Sequence, residues 1–150
     1  MNATRPVDIV GLGAVSGYGW GVDSLWSGLL SGKSAAQSVV FEDFAGLAAM
    51  VPDGGSETDS VTLFGRALYG SGREALADAE SRGWHPGDRV GLILCTSLGE
   101  VQGWRDLYFE HQGHVRRRHY LQLLPSTAPS MLMAEYGFTG PSMNVGAACA

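Results

Sequence analysis

The apolar positions of the chain fall into short runs with two alternating spacings. Val7-Asp8-Ile9-Val10-Gly11-Leu12-Gly13-Ala14-Val15 is apolar, β-branched and ends in glycines, which reads as a buried strand over 7–15. Gly17, Gly19 and Gly21 then interrupt regular structure. Leu25, Trp26, Leu29 and Leu30 recur at helical spacing behind Asp23-Ser24, and Gly32 closes that helix. Val39-Val40-Phe41 and residues 47–51 read as short strands, followed by a turn at Pro52-Asp53-Gly54-Gly55. From Ser60 to Arg82, Val61, Phe64, Leu68, Ala75, Leu76 and Ala79 keep a helical period, with Asp59 or Ser60 as the cap. Gly65, Gly70 and Gly72 are costly inside a helix, which implies close packing against a neighbour.

The second half continues the alternation. His85-Pro86-Gly87-Asp88 is a turn, and Val90-Gly91-Leu92-Ile93-Leu94-Cys95-Thr96 is apolar throughout, as a strand buried on both faces would be. A helix over 101–111, a basic loop over 113–119 and a short helix over 130–136, ended by Gly137, come next. Gly140-Pro141 turns the chain into a last strand from Ser142. Strands interleaved with helices predict an α/β fold, a sheet between helical layers. At 150 residues the length suits one domain.

Composition narrows the classes. With 45% hydrophobic and 17% charged residues the chain is no disordered segment. A net charge of −5, from 10 basic against 15 acidic residues, argues against nucleic-acid or polybasic membrane binding. The N-terminus lacks a signal-peptide pattern, and no apolar run approaches the roughly 20 residues of a membrane span. Two cysteines make no disulfide framework. The expected setting is the cytoplasm.

Three clusters carry candidate chemistry. Gly11-Leu12-Gly13-Ala14-Val15-Ser16 has the first two glycines of a dinucleotide turn. Ser16 stands in the third place, however, and Ser31-Gly32-Lys33-Ser34 supplies no ribose-binding acid. Glycines that let a strand turn tightly explain it better. Cys149 follows a strand and three small residues, Gly146-Ala147-Ala148, that permit a sharp turn. A helix starting there would stabilise the thiolate, which attacks thioesters; a buried structural cysteine is the competing reading. Cys95, inside the apolar strand, is expected to be buried and inert. His85, His111, His114 and His119 have no metal-ligand spacing, and no metal site or cofactor is expected. Arg116-Arg117-Arg118, with Arg105 and His119, reads as a solvated loop, with a docking patch for an acidic partner as the alternative.

Four stretches together resemble the N-terminal half of the β-ketoacyl-[acyl-carrier-protein] synthases, condensing enzymes of the thiolase superfamily. They are Val10 to Ser16 with Gly19; Leu25-Trp26-Ser27-Gly28-Leu29-Leu30-Ser31-Gly32-Lys33-Ser34; Arg66 with Glu74 to Ala79; and Tyr136 to Ser142 with Ala148-Cys149-Ala150. The chain departs from the family's usual residues at Gly17, Cys95, Glu100 and Gly146-Ala147. The resemblance implies a three-layer α/β half of a thiolase-like α-β-α-β-α sandwich. Residues 1–150 would be an incomplete synthase N-terminal domain, with strands 7–15 and 89–96 central and strand 142–147 leading to Cys149.

The function implied is acyl transfer to the Cys149 thiolate and decarboxylative Claisen condensation, in fatty-acid or polyketide synthesis. Its partners would be an acyl carrier protein, acyl and malonyl thioesters and, in full-length form, a second copy in a homodimer. The family's two catalytic histidines match none of the four here, so 150 residues alone should not turn over. The alternative is a truncated, non-catalytic remnant or a dimerisation or binding module, whose uncovered apolar helices would drive association.

Overall fold

A computed structural model of the chain describes residues 6–41, 44–55, 62–87, 89–109 and 117–146. The backbone forms two compact units, one of residues 1–52 and 71–85, the other of residues 53–70 and 86–150.

The first unit contains β1 (Val15–Ser16), β2 (Gly19–Trp20), α1 (Val22–Leu30), β3 (Gln37–Phe41), β4 (Phe44–Ala48) and the Ser71–Ser81 part of α2 (Leu63–Ser81). β1 and β2 form a small antiparallel pair, and β3 and β4 an antiparallel hairpin with Val39 opposite Gly46. The strand expected over 7–15 is reduced to its last residue, Val15, continued by Ser16. Val7 and Ile9 are exposed, and two later amides go to side chains. Leu12 N donates to Oδ2 of Asp78 at 3.0 Å and Ala14 N to Oε2 of Glu74 at 2.9 Å, so carboxylates of α2 take bonds that a neighbouring strand would otherwise accept.

Glycines make that approach possible. A Cβ on Gly11 would lie 2.1 Å from the Ala75 carbonyl oxygen, and one on Gly13 1.9 Å from that of Ser71. Oε1 of Glu74 also accepts from Val22 N at 2.8 Å, at the start of α1, where a helix has unpaired donors. Ala79 is the one buried hydrophobic side chain among the described residues of this unit. Polar stitching, rather than an apolar core, ties its segments together. Trp26, Leu29 and Leu30 of α1 remain exposed, as do Val40 and Leu47 of the hairpin.

The second unit holds the apolar core. It contains the Leu63–Gly70 part of α2, β5 (Leu92–Thr96), α3 (Val101–Phe109), α4 (Arg117–Gln122), α5 (Thr127–Tyr136) and β6 (Ser142–Gly146). Tyr69, Leu94, Leu107, Leu123, Leu132 and Met133 are buried there. The loop expected over 113–119 gives way to helix at Arg117. The Tyr120 ring meets Trp104 edge-on at 6.3 Å, and Leu123 just beyond the helix is buried, so packing carries the helix into the basic run. α5 begins three residues earlier than its expected 130–136 span, because Pro129 lies in the first turn, where its missing N–H is not needed. Gly137 closes α5 at φ 68°, with Phe138 N bonded to Met133 O at 2.9 Å.

β5 and β6 pair in parallel, Leu92 opposite Ser142 and Thr96 opposite Gly146. α5 packs on β5, and Leu94 is buried. On the opposite face Ile93 is 69% and Met143 58% exposed. Cys95 shares that face and is exposed too, which corrects the expectation that it is buried. The apolar run marks a strand that wants two covered faces; only one is covered here.

Candidate active site

Sheet ligands in α/β folds gather at the carboxyl ends of parallel strands. Here that end is defined by Thr96 and its register partner Gly146. β6 stops three residues short of Cys149, which lies outside the described residues together with Ala147, Ala148 and Ala150.

Beyond Thr96 the chain makes a turn over 97–100 before entering α3. Thr96 Oγ1 accepts from Gly99 N at 3.0 Å, and Gly99 adopts φ 58°, a left-handed conformation suited to glycine. Glu100 follows, 4% exposed, and its carbonyl oxygen accepts from Trp104 N at 3.0 Å, the first helical bond of α3. Its Oε1 accepts from Thr62 Oγ1 at 2.5 Å. Burial pushes the Glu100 carboxyl above its usual range, and the Thr62 hydrogen bond pulls partly back.

Thr62 in turn accepts from Gly65 N at 3.1 Å through its hydroxyl and from Arg66 N at 3.0 Å through its carbonyl, the marks of an N-cap of α2. The sequence expectation put that cap at Asp59 or Ser60, both outside the described residues. Arg66, one of the resembling residues, holds a turn: Nε donates to Gly54 O at 2.7 Å and the guanidinium pairs with Asp53 at 2.5 Å.

His85 is exposed and belongs to the first unit. His111, His114 and Arg116 lie outside the described residues, as do the side chains of Arg117, Arg118 and His119. Arg105 sits 3.7 Å from Asp106. No cluster of metal-ligating side chains occurs among the described residues.

The dinucleotide reading of the first glycine turn meets a physical obstacle. The amides of Leu12, Ala14 and Val22, which would cradle a phosphate, already donate to Asp78 and Glu74. A pyrophosphate would meet two carboxylates, and the glycines serve helix packing instead.

Sequence reasoning noticed Glu74 and Asp78 only as part of a family-like helix, and Glu100 only as a departure. Acids at i and i+4 beside Ala75 and Ala79 were the available signal for the first pair. Thr62–Glu100 joins residues far apart in sequence and left no such mark.

The molecule is thus an α/β protein with a parallel strand pair, β5 and β6. The family model described as "Beta-ketoacyl synthase, N-terminal domain" matches residues 49–150, about two-thirds of the chain, and the protein belongs to that family. Two solved structures share its fold. One is AntDE:AntF, a type II PKS acyl-carrier protein in complex with its ketosynthase bound to the hexaketide; its similarity is 20% identity at TM-score 0.71, over 91% of this chain and 36% of that one. The other is the ishigamide ketosynthase/chain length factor, at 21% identity and TM-score 0.71, over 95% of this chain and 40% of that one. The chain therefore spans about two-fifths of the length of these structures. No curated protein matches it at a significant level. Among the described residues no helix is long and apolar enough to cross a membrane.

Proposed function

We propose that the chain is the nucleophile-bearing portion of a ketosynthase and that Cys149 accepts the acyl group. The observation that carries this reading is the family match, which runs to Ala150 and so includes Cys149, three residues beyond the last residue of β6.

In the first step the Cys149 thiolate attacks the carbonyl of an acyl–carrier thioester. The carbonyl–sulfur bond to the carrier breaks, and the carrier leaves as its thiolate, which takes up a proton. In the second step a malonyl thioester loses carbon dioxide. The electron pair of the broken carbon–carbon bond forms a carbanion that attacks the Cys149-bound carbonyl, and the Cys149 thiolate departs. Backbone N–H donors near the nucleophile stabilise the oxyanion, an effect worth about 3 kcal/mol per donor.

An acyl carrier protein is the partner this chemistry requires, and the AntDE–AntF complex supports it by similarity of fold. Residues 1–150 constitute the N-terminal domain of a longer, dimeric synthase of fatty-acid or polyketide assembly.

The test is acylation of the full-length protein by an acyl-carrier thioester, followed by intact mass. One acyl adduct is expected, absent in Cys149→Ala and retained in Cys95→Ser. An adduct that survives Cys149→Ala refutes the assignment.

A further inference from the structure

We draw no further inference here: the strongest candidate, the open sheet face that Ile93 and Cys95 of β5 share with Met143 and Val145 of β6, carries nothing, because nothing in the structure shows what covers it.

Discussion

Replacing Gly13 by Ala tests the claim that a glycine-mediated approach to α2 organises the first unit. The new Cβ would lie 1.9 Å from the Ser71 carbonyl oxygen and 2.8 Å from Ala75 N, both backbone atoms of a helix. To open the shorter gap to even 3.0 Å, residues 11–14 must retreat from α2 by about 1.1 Å. The Ala14 N to Glu74 bond, now 2.9 Å, then stretches to about 4 Å, beyond hydrogen-bonding range. The Leu12 N to Asp78 bond lengthens alike. Glu74 cannot simply follow, because its other oxygen holds Val22 at the start of α1.

Bonds to charged groups contribute about 1.5–3 kcal/mol each, and less where solvent reaches them, so the two losses come to roughly 2–4 kcal/mol. That is a large share of the stability of a typical domain. Urea denaturation followed by Trp fluorescence measures it, with Trp20 and Trp26 both in this unit. Gly32→Ala is the control. Gly32 has φ 66° but nothing within 4 Å of a built Cβ, so it should cost only about 1 kcal/mol of backbone strain. If Gly13→Ala costs no more than Gly32→Ala, the packing argument is wrong.

Three further outcomes follow from the same geometry. Glu74→Ala removes the acceptor of both Ala14 N and Val22 N and should destabilise the first unit by about 2 kcal/mol in urea, whereas Glu74→Gln, which keeps one acceptor, should cost about half that. Glu100 has a folded-state pKa raised above its ordinary 4.5, so the stability it confers is present below that pH and fades as pH rises through the folded value. Unfolding midpoints of wild type and Glu100→Gln should therefore diverge across that window, and parallel curves would contradict the buried carboxyl. Exposed Cys95 should react with iodoacetamide in the folded protein, and protection until unfolding would place it in a covered sheet instead.

The α/β class was legible because helical and strand periods alternate cleanly, and the Gly137 stop and the strand from Ser142 both stand where pattern reasoning puts them. The segment 7–15 misled for a specific reason. Alternation and β-branching report that a stretch is extended and apolar, not which partner takes its amides. Side-chain carboxylates arriving from Glu74 and Asp78, more than 50 residues later, carry no local trace. α4 escaped because a run of arginines looks solvated, while its helical state depends on the packing of Tyr120 and Leu123. Cys149 itself was named from chemistry and resemblance together. Small residues before a cysteine fit either a nucleophile or an inert core thiol, and only the family motifs favoured the first.

The two units divide the physical labour in a way that bears on where function can reside. The first is held largely by amides bonded to carboxylates, interactions that water weakens and that confer little rigidity on exposed side chains. The second buries leucines, a methionine and a tyrosine, and carries the Thr62–Glu100 pair within that packing. A reacting group must be placed to within a fraction of an ångström, which a packed core achieves and an exposed polar lattice does not. The strand that precedes Cys149 belongs to the packed unit, joined to β5 along five register pairs. Yet the Ile93–Met143 face of that strand pair is open, and a parallel pair with one bare face is marginal in water. The order of this strand pair therefore depends on what covers that face as well as on what lies beneath it. Replacing Ile93 or Met143 by a polar residue should therefore cost little stability while that face is open, as urea denaturation would show.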